Sequence, residues 1–147
     1  MRLWRISDFA DLTGWGGLMR PARWHAMARP LVYLADHPAS ALLEILVHLE
    51  VDRDELPANY QLLAVECPDD IRFDDTAGLP DDWRSNALAT QGIGDRWLAR
   101  EASALLRVPS AIVPYTWNWL LNPRHRDAGH LWVAEAIRVS FDPRLFN

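Results

Sequence analysis

The alternation of apolar and polar positions divides the chain into short extended runs and two helical ones. Leu3–Ile6 (LWRI) and Pro30–Ala35 (PLVYLA) predict the first two strands. His37–Glu50 (HPASALLEILVHLE) predicts a helix with Pro38 at its first position. On a wheel of about 100° per residue, Ala39, Ala41, Leu42, Leu43, Ile45, Leu46, Val47 and Leu49 cover nearly the whole circumference of that helix. The polar side chains keep one narrow stripe, Ser40, Glu44 and His48, at i, i+4 and i+8. A helix so apolar is expected to be buried, and the Glu44 carboxylate then either occupies its one wet face or lines a cleft.

Tyr60–Cys67 (YQLLAVEC) predicts a strand, and Thr90–Arg107 a second helix with Trp97, Leu98, Ala102, Leu105 and Leu106 at its apolar positions. Ser110–Trp117 (SAIVPYTW) reads as an edge or bulged strand, because Pro114 cannot donate to a ladder. Asn118–His130 reads as a loop or short helix and Ala134–Phe141 as a final strand. Asp11–Ala28, with Gly14, Gly16, Gly17 and Pro21, reads as an irregular loop packed around Trp15 and Trp24. Pro68–Asp82 is acidic and punctuated by Pro and Gly, a solvated excursion. Short strands with two helices predict an α+β fold. No repeat, low-complexity tract or linker divides the chain, so residues 1–147 are expected to form a single domain.

Composition sharpens this picture in a few places. Half of the residues are hydrophobic, enough for one core, and the eight Trp are expected to fill that core or a partner surface. Cys67 is the single cysteine, which excludes an intramolecular disulfide. Neither a secretory leader nor an apolar run of membrane-spanning length is visible, so a cytoplasmic protein with no membrane contact is expected. The net charge of −5 argues against direct nucleic-acid binding. The charge is unevenly spread: residues 1–30 carry five Arg against Asp8 and Asp11, a net of +3, whereas residues 51–82 carry a net of −8. The N-terminal excess suits a small anion such as a pyrophosphate, and ordinary surface Arg is the competing explanation.

Arg23-Trp24, Arg29 and Tyr33 all precede the helix that carries Glu44. An Arg, a Tyr and a Glu around a strand-to-helix turn suit an anionic, aromatic ligand and the stabilisation of a developing cation. A solvent-facing stripe beside surface arginines accounts for the same pattern. Other chemistry finds little support. The five His do not form a metal-ligand pattern. Gly92-x-Gly94 is too short for a nucleotide loop and follows no strand. Ser110 has no nucleophile elbow around it.

Taken in order along the chain, these residues resemble the RES-domain toxin family, the toxic half of RES–Xre toxin–antitoxin systems. The family's Arg-Trp segment matches Arg23 in Ala22-Arg23-Trp24-His25, and its strand Tyr matches Tyr33 in Leu31-Val32-Tyr33-Leu34-Ala35. Its helical Glu matches Glu44, and its Ser matches Ser110 in Leu106-Arg107-Val108-Pro109-Ser110. The segments Thr116–Pro123 and Phe141–Leu145 are also similar to the family's C-terminal part. The approach to the Arg-Trp pair, Gly16-Gly17-Leu18-Met19-Arg20-Pro21-Ala22, departs from the more glycine-rich family form.

The resemblance implies an ADP-ribosyltransferase-like mixed sheet flanked by helices, and an enzyme acting on NAD⁺ as substrate with no resident cofactor or metal. It implies cleavage of the nicotinamide–ribose bond by hydrolysis or phosphorolysis, or transfer of ADP-ribose to a target. Glu44 would oppose the ribose cation, and Arg23 would take the pyrophosphate with Arg29 and Arg5 as helpers. Tyr33 would cover the nicotinamide or ribose, and Ser110 would hydrogen-bond the ribose or amide. The resemblance further implies an Xre-family antitoxin as neutralising partner in a toxin–antitoxin hetero-oligomer. A noncatalytic protein-binding module is the alternative from another class.

Overall fold

The computed structural model describes residues 1–26, 28–49 and 55–146. Its centre is a seven-stranded mixed sheet. In chain order the strands are β1 (Arg2–Ile6), β2 (Val32–Ala35), β3 (Asn59–Glu66), β4 (Phe73–Asp75), β5 (Leu105–Pro109), β6 (Trp117–Leu121) and β7 (Trp132–Ser140). Across the sheet they run β4-β5-β6-β2-β1-β3-β7. Every pairing is antiparallel except β4 with β5. The helices are α1 (Trp15–Met19), α2 (Pro38–His48) and α3 (Ala87–Arg100).

Local chemistry explains the two long helices. The His37 side chain caps α2, its Nδ1 accepting from the backbone N–H of Ala39 at 3.2 Å, and Pro38 follows where its missing N–H costs nothing. Asn86 caps α3 in the same way, Oδ1 accepting from Ala89 N–H at 3.1 Å. That helix stops at Glu101, whose backbone is left-handed with φ of 50°. The end of the first long helix expected at Glu50 lies outside the described residues.

Side-chain alternation along the strands gives the sheet two apolar faces. On one, Val32, Leu34, Leu105, Trp119 and Leu121 pack with Leu3 and Val65. On the other, Leu31, Leu106, Val108 and Leu120 pack with Trp24, Trp83, Trp97 and Leu98. Tyr33 joins the second face, which is the face α3 covers.

Several expectations need correction. The second helix starts and ends earlier than its periodicity suggests, because Leu105–Pro109 is strand β5. Leu105 and Leu106 face opposite sides of the sheet rather than one side of a helix. Ser110–Trp117 is mostly a turn, closed by Ser110 N–H donating to Thr116 O at 2.8 Å, with Tyr115 left-handed at φ 60°. The following strand, β6, occupies part of the expected loop. The acidic excursion contributes β4. Trp15 is 65% exposed rather than packed in the loop, whereas Trp24 is buried.

The predicted burial of α2 is also wrong. It crosses β1 and β2 on the sheet surface, Ala41 is its one buried residue, and Val47 is 58% exposed. Glu44 and His48 line a cleft together with Ala41 and Ile45, while the outward side presents Leu43 and Val47. Of the polar stripe, Glu44 and His48 therefore border the cleft, while Ser40 is not part of its lining.

Candidate active site

Strand register assembles the floor of the site. Ala35 of β2 lies opposite Asn118 of β6, and Asn118 lies opposite Val108 of β5. Tyr33 lies opposite Leu120, two residues from Asn118. Tyr33, Asn118 and Val108 thus point to the same face, and Ser110 continues that row just past the end of β5. Glu44 descends onto this floor from α2.

Hydrogen bonds lock the Glu44 carboxylate through one oxygen. Asn118 Nδ2–H donates to Oε1 at 2.6 Å, and Ser110 Oγ–H donates to the same atom at 3.1 Å. The Ser110 hydroxyl accepts in turn from the backbone N–H groups of Ile112, at 3.1 Å, and Val113, at 3.3 Å. Those two donors occupy its lone pairs and leave its proton for Glu44. Among the described residues, Oε2 of Glu44 has no hydrogen-bond partner. Ser110 is itself buried, 3% exposed, and does not line the cleft. Its hydroxyl is directed to Glu44.

The cleft has a volume of about 360 Å³ and is lined by Glu44, Tyr33, Asn118, His48, Arg5, Arg20 and Arg23. Arg29 is half-buried and is not part of this lining. Arg23 donates from Nη1 to the carbonyl of Arg84 at 3.0 Å. Arg5 donates from Nη1 to the carbonyl of Asp11 at a long 3.4 Å. Burial holds the Arg5 guanidinium below its ordinary value, with nearby Asp11 pulling the other way. Arg5 follows Trp4, whose register partner is Ala35, so strand alternation sets the Arg5 side chain on the Leu3 face of the sheet, opposite the Tyr33 row.

Tyr33 is held by a chain of hydrogen bonds that ties β2 to the Arg-Trp loop. Its hydroxyl accepts from Trp24 N–H at 3.3 Å and meets His25 Nδ1 at 2.8 Å. His25 Nε2 lies 2.9 Å from the carbonyl of Gly17. A carbonyl only accepts, so Nε2 carries a proton, and the Tyr33 O–H is the donor to Nδ1. His25 is 1% exposed. Burial pushes the Tyr33 phenol well above its ordinary value, so it stays protonated. Tyr33 therefore offers the cleft its ring, its hydroxyl being engaged within the protein.

This network predicts the behaviour of Tyr33→Phe. The substitution keeps the ring but strands the Trp24 N–H and His25 Nδ1, a loss of about 1–3 kcal/mol for buried polar groups left without partners. It also changes the alkaline limb of stability. The folded phenol titrates above the unfolded one, so its contribution is complete below about pH 10 and is lost as pH rises beyond that. Denaturant titrations at neutral and alkaline pH check both points: the variant should be less stable near neutrality and lose less stability above pH 10 than the wild type.

Asn118, His25 and Arg20 were not singled out by their local sequence. Asn118 comes from a stretch that reads as loop, and its placement depends on the β2–β6 register. The adjacency of His25 to Arg23-Trp24 is a signal, but its bond to Tyr33 arises only when the loop folds back. Among the described residues, no group of three or more His, Cys, Asp or Glu is arranged to hold a metal ion, and no helix is long and apolar enough to cross a membrane.

Residues 2–142 match the model of the RES domain family. The chain belongs to the RES family. This RES domain is 46% identical over 128 residues to a Pseudomonas putida protein named Toxin Res, covering 87% of this chain and 88% of the relative. It is 34% identical over 156 residues to a Sphingobium protein named Prs ADP-ribosylating toxin, covering 98% and 96% of the two chains. The fold is similar to a chain in the crystal structure of the M. tuberculosis MbcT–MbcA toxin–antitoxin complex, with a TM-score of 0.75 and 17% identity over 95% of this chain and 84% of that one. The α+β architecture expected from the sequence thus agrees with a RES domain's mixed sheet and flanking helices.

Proposed function

We propose that this RES domain is a toxin that breaks the nicotinamide–ribose bond of NAD⁺. The observation that carries the proposal is the Glu44 carboxylate, fixed through Oε1 by Asn118 and Ser110 beneath a cleft lined by Arg5, Arg20 and Arg23. As nicotinamide departs, positive charge develops on the ribose. The negative charge of Glu44, with Oε2 free of hydrogen-bond partners among the described residues, lowers the energy of that state and accepts from a ribose hydroxyl. The Tyr33 ring forms one wall for the nicotinamide ribose. The arginines take the pyrophosphate, Arg23 first, and Ser110 acts through Glu44. The ribosyl cation then passes to water or phosphate. The Sphingobium relative's name favours a second acceptor, a macromolecular target that receives the ADP-ribose.

The direct test is release of nicotinamide from NAD⁺ by the purified chain, with mass spectrometry of the ribosyl product in the presence and absence of phosphate. An intact NAD⁺ pool after prolonged incubation leaves the binding-module reading standing. Binding experiments separate the arginines. Arg23→Ala should weaken NAD⁺ binding about 10- to 100-fold, the value of a charge-assisted hydrogen bond, and Arg5→Ala should cost less. Arg29→Ala should bind as the wild type does. Equal losses at all three positions would point to a diffuse charge effect in place of a defined phosphate site.

An enzyme that consumes NAD⁺ harms the cell that makes it, so this reading includes a neutralising antitoxin of the Xre family that covers the cleft. The relatives' names and the complex in which the MbcT fold was solved support such a partner. Expression alone should arrest growth, and co-expression with the antitoxin should restore it. Harmless expression of an active enzyme would remove the need for a partner.

A further inference from the structure

Asn118 uses its amide in an uneven way. Nδ2–H donates to Glu44 Oε1 at 2.6 Å, the shorter of the two bonds that atom receives. Its other end, Oδ1, is sealed from solvent and has no hydrogen-bond partner among the described residues. A buried amide normally turns to satisfy both of its ends. The opposite orientation here would set Oδ1 against the Glu44 oxygen, acceptor against acceptor. The amide thus holds a bond to Glu44 while leaving its own carbonyl unsatisfied. Such an exception to polar satisfaction calls for an explanation.

The register explains why this side chain is suited to the task. Asn118 sits on β6 between Ala35 of β2 and Val108 of β5, inside the sheet. Ser110, the other donor, lies in a turn whose tip carries the fully exposed Tyr115. Asn118 is therefore the donor anchored to the rigid floor.

We infer that Asn118 is a positioning residue for Glu44, holding Oε1 so that Oε2 is presented to the substrate's ribose. The inference rests on the proposed cleavage of NAD⁺. Asn118 does not touch the reacting atoms in this role; it fixes the plane and rotation of the carboxylate. A misplacement on the order of 1 Å at such a group lowers rates by about 10²-fold. The loss should fall on kcat, because substrate binding rests mainly on the arginines.

The test compares the wild type, Glu44→Gln, Asn118→Ala and Asn118→Asp in one nicotinamide-release assay across pH. Asn118→Ala should lose about 10²-fold in kcat with KM close to the wild-type value. Asn118→Asp sets a second carboxylate against Glu44, and the pair binds one shared proton at a raised pH. With that proton in place the donor to Oε1 is restored, so Asn118→Asp should regain activity as pH falls. Circular dichroism at each pH separates this from a structural role, in which activity would recover only in step with the folded fraction. If Asn118→Ala does not fold, the pH profile of Asn118→Asp decides alone. A wild type that leaves NAD⁺ intact overturns both the proposed function and this inference. A wild type that cleaves, with Glu44→Gln inactive and both Asn118 variants at wild-type rate and pH profile, overturns this inference alone.

Discussion

Glu44→Gln is expected to lower nicotinamide release by about 10²- to 10³-fold, the usual loss when one electrostatic contact to a developing charge is removed, with little change in thermal stability. The hydrogen bonds around Glu44 make this substitution unusually clean. Asn118 Nδ2–H and Ser110 Oγ–H both donate to Oε1. A glutamine oxygen placed there still accepts from both, so the fold around the side chain is kept. The amide nitrogen must then take the position of Oε2, because turning it inward would set N–H donors against the Asn118 and Ser110 donors. The cleft would face the substrate with a neutral donor where it had a negative acceptor. Ground-state binding through the arginines should survive, so the loss should appear in kcat with KM little changed. Steady-state kinetics on both proteins, with Tm measured in parallel, give the result. Wild-type turnover in a folded Glu44→Gln protein would remove Glu44 from the charge-stabilising role.

The parts of the fold that were legible in the sequence are those with strong local signals. The His37-Pro38 start of α2, the Val/Leu-rich runs of β2 and β3, and the final strand are set by capping, proline geometry and alternation. Where the periodicity is ambiguous the reading fails. Ala102–Leu106 continues the apolar spacing of α3, yet Glu101 turns left-handed and the chain enters β5. In the site, Glu44 stood out because it interrupts an apolar helix, and the turn order brought Arg23 and Tyr33 to attention. Ser110 came from the family pattern alone. Its partnership with Glu44 spans 66 residues, and that of Asn118 spans 74, so both depend on sheet register, which short-range spacing does not encode. The cleft-lining position of Glu44 and His48 on α2 follows the same logic. The helical wheel locates a polar face, but only the sheet beneath it reveals that this face borders a cleft.

Gly94→Ala is expected to reverse the usual sign of a glycine-to-alanine change inside a helix. In an open helix that replacement stabilises by roughly 0.5–1 kcal/mol. Gly94 lies where α3 presses on the Arg-Trp loop, and a Cβ there would stand 1.6 Å from the carbonyl oxygen of Trp24. The obstacle is backbone, so the helix and the loop must separate. Three hydrogen bonds hold them together at this point. Thr90 Oγ1–H donates to Arg23 O at 2.6 Å, Gln91 Nε2–H donates to Ala22 O at 2.9 Å, and Ala26 N–H donates to Asp95 Oδ1 at 3.0 Å. Overpacking of this kind costs about 1–3 kcal/mol, a fall in Tm of roughly 3–10 °C for a chain of this size. The same displacement carries Arg23 and the Trp24 N–H that supports Tyr33, so NAD⁺ affinity should fall as well. Gly92→Ala is the matched control, since its Cβ would meet only the flexible end of Arg96 at 3.2 Å. It should keep or raise Tm and leave binding unchanged. Thermal denaturation and NAD⁺ binding of the two variants side by side test the argument, and equal stability of Gly94→Ala and Gly92→Ala would show that the loop does not depend on this close approach.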